Sequence, residues 1–161
     1  VVVIYRDWLP GLNFFHVVGG GLWVALDLFM GLVIGPILPR IDPQARVALV
    51  RHLMPKLLLI MPTLVLVTLA SGWQLGRKMG FLFLPFPEHW WLVASLAIVG
   101  ITAVMAYVVL EPANITVLLE LRKPKPNALL IGRLMSRFIY IAAINGVMLV
   151  ANLVIMARWA T

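Results

Sequence analysis

The side chains of this chain that could do chemistry are concentrated in one apolar stretch, FFHVVGGGLWVALDLFMGLVIGPIL, which covers residues 14–38. At 3.6 residues per turn of helix, His16, Gly20, Trp23 and Asp27 fall along one face. This stripe carries an imidazole, an indole N–H and a carboxyl group. An imidazole can ligate haem iron or copper, and an intramembrane carboxyl group can relay protons or hydrogen-bond to a neighbouring helix.

A second histidine offers a partner for the first. In an up–down bundle, His16 and His89 lie near the same end of helices that run in the same direction. Two facing imidazoles are a common way to hold a b-type haem. The sequence therefore predicts His16 and His89 as metal ligands and adds Trp23, Gly20 and Arg51 as further cofactor-binding residues. Gly20 would leave room for the porphyrin, and Arg51 could pair with a propionate or a lipid phosphate.

Three further polar residues are predicted within the apolar segments. Asp27 is a candidate proton relay, and Asn145 and Asn152 share one face of the last helix because they are seven residues apart. The alternative interpretation is structural: amide and carboxyl groups in lipid often hydrogen-bond between helices. On that interpretation His16 and Asp27 are also only hydrogen-bonding groups.

Other chemistries find less support in the residue inventory. There are no cysteines, which excludes thiolate metal sites, iron–sulfur clusters and cysteine-linked haem on this chain's own ligands. Copper is an alternative cofactor, because thioether sulfur is a soft ligand and the chain has eight methionines. A copper site would use His16, Met30 or His89. No nucleophile–base pair or phosphate loop is visible, so no catalytic residue is predicted.

The elements that position these residues are apolar helices. The chain has 161 residues, 63% of them hydrophobic, and its mean hydropathy is +1.03. Such a composition is typical of an integral membrane protein. We predict an all-α fold, a single transmembrane domain over residues 1–161 that forms a four-helix up–down bundle. Its spans cover residues 12–38, 53–76, 89–110 and 137–158.

Local signals fix several helix ends. Asp42 is a good N-cap before Pro43, and Asn127 can cap the last helix. The Glu111–Pro112 pair is expected to kink the third helix, which can continue towards Arg122 outside the lipid.

The positive charges predict the orientation. Nine of the 13 lysine and arginine residues lie on the connections between spans 1 and 2 and between spans 3 and 4. The positive-inside rule places these connections in the cytoplasm and both termini on the outer, periplasmic side of a bacterial inner membrane. An aromatic belt at the outer interface agrees with this; its tryptophans are Trp8, Trp73, Trp90, Trp91 and Trp159. The net charge of +7 is thus a topology signal and does not indicate nucleic acid.

The order of features resembles the CopD/HemJ-like family of small bacterial inner-membrane proteins. The pattern is His16, Trp23, prolines at 36 and 39, and then ARVALVRHLMPKLLLIMPTLVLVTLASGW, so that the match covers mainly residues 13–78. The resemblance implies either b-haem or porphyrin chemistry, including protoporphyrinogen oxidation, or copper handling. Ser95 stands where the HemJ group has a lysine, and Gly146-Val147 follows Asn145 in place of Glu-Pro. The resemblance therefore carries over only His16, as a haem or porphyrin contact.

Three functions follow as hypotheses. The first is a redox-type membrane subunit that binds b-type haem near the outer face and passes electrons between a membrane partner and a periplasmic redox protein. The second is a cofactor-free accessory subunit of a larger respiratory or photosynthetic complex. The third is a copper-uptake protein like CopD. All three have the lipid bilayer as a partner, and the first two require other membrane subunits or a redox protein.

Overall fold

The computed structural model describes residues 8–158, and over this range every regular element is helical. Four helices are long and apolar enough to cross a membrane, and we call them spans 1 to 4: Leu9–Arg40, Pro43–Lys78, Glu88–Leu121 and Ala128–Ala157. The all-α prediction and the four spans are confirmed. The chain is a multi-pass membrane protein, while the side on which its termini lie stays a prediction.

The distribution of polar and apolar side chains suits a lipid surrounding. Spans of 30 to 36 residues exceed the roughly 20 residues that cross the hydrocarbon layer. Large apolar side chains such as Leu59, Leu66 and Val154 point outward and are 72%, 59% and 68% exposed. Polar side chains such as Asn145 and Thr102 are fully buried. The bundle therefore turns its apolar surface towards lipid and keeps polar groups between the helices.

Capping residues define the starts of spans 2 and 4 as predicted. The Asp42 carboxylate accepts hydrogen bonds from the backbone N–H groups of Gln44 and Ala45, at 2.8 and 3.2 Å. The Asn127 side-chain oxygen accepts one from the Leu130 N–H at 3.1 Å. Both caps satisfy N–H groups that a helix start leaves without an intrahelical partner.

Paired contacts establish the up–down arrangement. Along span 1, Leu28, Gly31 and Gly35 meet residues of span 4 that descend in number: Gly146, Ala143 and Ile139. His16 and Gly19 likewise meet Gly72 and Thr68 of span 2, in that order. Span 1 is therefore antiparallel to both neighbours. We call the end that holds His16, Gly72 and His89 the His16 end, and the end that holds Arg46 and Arg133 the basic end.

Two spans contain a π-helical segment of six residues. In span 1 the helix Leu9–Leu28 passes into the segment Phe29–Ile34, and a turn of α-helix at Gly35–Ile37 and a 3-10 turn at Leu38–Arg40 complete the span. In span 3 the helix Glu88–Val104 passes into the segment Met105–Leu110, which leads into the helix Glu111–Leu121. Span 3 thus continues past Pro112 to Leu121, and the irregularity expected at that proline lies in the turn before it.

The connection between spans 2 and 3 is short and apolar. Gly80 has a φ of 73°, a left-handed conformation that glycine adopts at little cost and that ends span 2. A 3-10 turn follows at Phe81–Phe83. Around this end of the bundle Trp8, Trp73, Trp90 and Trp91 are between 40% and 60% exposed, as an interfacial belt requires. Trp159 lies outside the described residues.

Candidate functional site

His16 lies between spans 1 and 2, half-buried, with its ring against Gly72. Its Nδ1 is 2.9 Å from the Thr68 carbonyl oxygen. A carbonyl oxygen can only accept, so Nδ1 carries the hydrogen and donates it. In the neutral ring the Nε2 atom then holds the lone pair, and Nε2 has no hydrogen-bond partner among residues 8–158. This arrangement fixes the ring beside Gly72 and leaves the Nε2 lone pair without a hydrogen-bond partner in the described range.

The glycines around His16 fit the neighbouring helix closely. A Cβ atom at Gly72 would lie 2.6 Å from the His16 Cε1 atom, and one at Gly19 would lie 2.9 Å from the Thr68 Oγ1 atom. Gly20 also faces Thr68, at an ordinary contact distance of 3.4 Å to Cγ2. Gly20, predicted to make room for a porphyrin, therefore borders span 2. Gly21 and Gly76 are open positions, because a Cβ atom at either one would meet nothing within 4 Å.

Gly72→Ala is expected to displace the His16 ring, because a Cβ atom 2.6 Å from Cε1 cannot be accommodated beside it. The hydrogen bond to Thr68 would lengthen or break. Nitrogen NMR of the histidine ring should report this as a changed Nδ1 signal. Gly76→Ala is the control. It lies one turn away, its added Cβ atom meets nothing within 4 Å, and it should leave the His16 signals unchanged.

A buried polar cluster joins spans 1 and 4 at mid-bundle. The Asn145 Nδ2 atom donates to the Asp27 Oδ2 atom at 2.7 Å, and the two residues are 0% and 1% exposed. The Trp23 indole N–H lies beside the same carboxyl group. Asp27 Oδ1 and Asn145 Oδ1 are buried without a hydrogen-bond partner. Of the proton-relay candidates, Asp27 and Asn145 are thus brought together, although 118 residues separate them.

The remaining candidates are spread over the four spans. His89 is exposed at the second position of span 3. Arg51 is exposed near the basic end of span 2, about 30 Å along the helix from Gly72 at 1.5 Å per residue. Trp23 is 1% exposed and belongs to the apolar core. Asn152 is buried and its Nδ2 atom contacts the Met156 sulfur within its own helix, at 3.8 Å.

Two of the candidate copper ligands, His16 and Met30, lie far apart on span 1. Met30 is a buried core residue about 21 Å along span 1 from His16. Over residues 8–158 no three histidine, aspartate or glutamate side chains form a group that could hold a metal ion. The candidate copper ligands His16, Met30 and His89 are therefore not assembled into one site by these helices alone.

Sequence reasoning missed a second polar cluster, on span 3. The Tyr107 hydroxyl donates to the Pro62 carbonyl oxygen of span 2 at 3.0 Å, and Asn114 is 2% exposed. Glu111 and these two residues line a cavity of about 10 Å³, close to the volume that one water molecule needs. The sequence signal for this cluster is the helical spacing of its polar residues, since positions 107, 111 and 114 share one helix face.

The two clusters share one local feature. The π-helical segment of span 1 begins two residues after Asp27, and that of span 3 ends immediately before Glu111. π-helical insertions widen a helix locally and are frequent at functional sites. Each segment thus adjoins an acidic side chain inside or at the edge of the bundle.

Comparison with known proteins found no matching family model, no matching curated protein and no matching solved structure. The proposed function therefore rests on the His16–Thr68 hydrogen bond and on the Asp27–Asn145 cluster.

Proposed function

We propose that the protein is a redox-type membrane subunit that holds a b-type haem at the His16 end through His16 and takes part in electron transfer. The observation that carries the proposal is the orientation of the His16 ring. Histidines that ligate metals usually donate their other ring N–H to a carbonyl or carboxylate, which fixes the tautomer and raises the basicity of the ligating nitrogen. The hydrogen bond from Nδ1 to Thr68 has this form.

Two features beside His16 support the proposal. Nε2 would be the atom that this chain offers to the iron, and Gly76, one turn of span 2 beyond Gly72, leaves open space at its Cβ position. Haem supplies one-electron chemistry when it is bound. The chain's own contribution would be to hold the iron through His16 and to surround it with apolar helices that exclude water. A second iron ligand would come from His89, which is exposed at the same end, or from a partner subunit.

A reduced-minus-oxidised visible spectrum of the purified protein tests this proposal. We expect a b-type band in the wild type that is lost in His16→Ala. The matched control is His52→Ala: His52 also donates from Nδ1 to a backbone carbonyl, at 2.8 Å, but it does so within its own helix and is exposed. A band unaffected by His16→Ala would contradict the proposed role of His16. His89→Ala then decides whether His89 is the second ligand.

The second candidate is the cofactor-free accessory subunit, and exposed aromatic residues at the His16 end favour it. Phe83 and Phe86, in the connection between spans 2 and 3, are 86% and 76% exposed. Exposed apolar side chains of this size suit docking onto another membrane subunit as well as the lipid interface. Co-purification with a larger complex without pigment, lost in a Phe83→Ser/Phe86→Ser double variant, would support this function in place of the first.

A further inference from the structure

A cleft of about 380 Å³ opens towards lipid between spans 1 and 4 at the basic end. Its floor is the closest approach of the two helices, where Gly31 meets Ala143 and Gly35 meets Ile139. Gly132 lies on its wall, and a Cβ atom there would meet nothing within 4 Å. The cleft is therefore open space beside two tightly packed helices.

The length of the cleft matches one leaflet of a bilayer. On span 4 its lining extends from Gly132 to Ala143, which is about 16 Å along the helix axis. Half of the hydrocarbon layer is about 15 Å thick. An acyl chain that lies parallel to the helices would thus fill the cleft from the headgroup region to the bilayer centre.

The mouth of the cleft is positively charged. Arg46 lines it, and its Nη2 atom donates to the carbonyl oxygens of Pro39 and Ile41 at 3.1 and 3.4 Å. These bonds hold the guanidinium in place, and its Nε atom is buried without a hydrogen-bond partner. Arg133 and Arg137 share a helix face with Tyr140 of the lining. None of the three arginines forms an ion pair with a residue in the described range 8–158.

We propose that this cleft binds one anionic phospholipid from the leaflet at the basic end. One acyl chain lies between spans 1 and 4, and the phosphate contacts Arg46, with Arg133 and Arg137 adding positive charge. Arginine suits this task because its planar group donates several hydrogen bonds to a phosphate. The proposal is independent of the haem.

Native mass spectrometry of the delipidated full chain in detergent, titrated with phosphatidylglycerol or phosphatidylcholine, tests the proposal. We expect phosphatidylglycerol to bind more tightly. Gly132→Leu should abolish this preference, because a Cβ atom at Gly132 meets nothing within 4 Å and the leucine side chain would occupy the cleft that Gly132 lines. Arg46→Gln should weaken phosphatidylglycerol binding roughly fivefold, the effect of one basic residue near an anionic headgroup.

The matched controls are Gly100→Leu, at an open position on span 3, and Arg122→Gln, an exposed arginine at the same end of the bundle. Both should bind phosphatidylglycerol like the wild type. Equal affinity for the two lipids, or a Gly132→Leu variant that binds like Gly100→Leu, would overturn the proposal. A change from dimer to monomer in Gly132→Leu would also overturn it, because the cleft would then hold a helix of a second copy.

Discussion

Gly31→Ala is expected to lower the free energy of unfolding by about 1–3 kcal/mol, the usual cost of adding a methyl group to a packed interface. The added Cβ atom would lie 2.5 Å from the Cα and Cβ atoms of Ala143 and 2.7 Å from its backbone nitrogen. These atoms cannot rotate away, so spans 1 and 4 would have to separate. Unfolding in mixed detergent micelles measures the change.

Two further glycine variants calibrate this result. Gly35→Ala meets the Cγ2 methyl of Ile139 at 2.5 Å, which can move only if Ile139 changes its χ1 rotamer, so this variant should also be destabilising although no backbone atom lies closer than 3.6 Å. Gly100→Ala has open space and should be neutral or stabilising by about 0.5–1 kcal/mol, the usual gain of alanine over glycine within a helix. If Gly31→Ala proved as stable as Gly100→Ala, the close packing of spans 1 and 4 would be contradicted.

Asn145→Leu is expected to destabilise the bundle by about 1–3 kcal/mol, the cost of leaving a buried polar group without its partner. The variant keeps a similar side-chain volume but removes the hydrogen bond at 2.7 Å that the Asn145 amide donates to the Asp27 carboxyl group. The same unfolding measurement applies.

A double-mutant cycle separates this bond from other effects of the substitution. Asp27→Leu combined with Asn145→Leu should cost less than the two single changes added together, by about 0.6 kcal/mol, the average measured between membrane helices, and at most about 1.7 kcal/mol. Asn152→Leu is the matched control, because its amide nitrogen contacts the Met156 sulfur of its own helix. Strict additivity of Asp27→Leu and Asn145→Leu would contradict a direct bond between them.

Periodicity and hydropathy were sufficient to predict the four helices. The caps at Asp42 and Asn127 were predictable as well, because capping depends on residues within one turn of each other. The π-helical segments at Phe29–Ile34 and Met105–Leu110 were not, since no residue type marks them in the sequence. Span 3 continues through Pro112 to Leu121, and the π-helical segment Met105–Leu110 lies directly before the proline, where the missing N–H and the ring disturb regular α-helical hydrogen bonding.

The polar residues were predicted one by one, but their partners were not. The sequence marks His16, Asp27 and Asn145 as polar groups in apolar helices, without saying which helix each one faces. The glycine stripe of span 1 showed the same ambiguity, because a close approach can serve a porphyrin or a neighbouring helix. In the structure Gly19, Gly31 and Gly35 of this stripe pack against neighbouring helices, whereas Gly21 has open space at its Cβ position.

The most direct test of the central claim, that His16 ligates haem through Nε2, is chemical rescue of His16→Gly by free imidazole. This variant removes the ligand and leaves space for an external one. The b-type band should be present in the wild type, absent in His16→Gly and restored when imidazole is added. A b-type band that persists in His16→Gly without imidazole, or folded wild-type protein from haem-replete cells without any band, would contradict the claim.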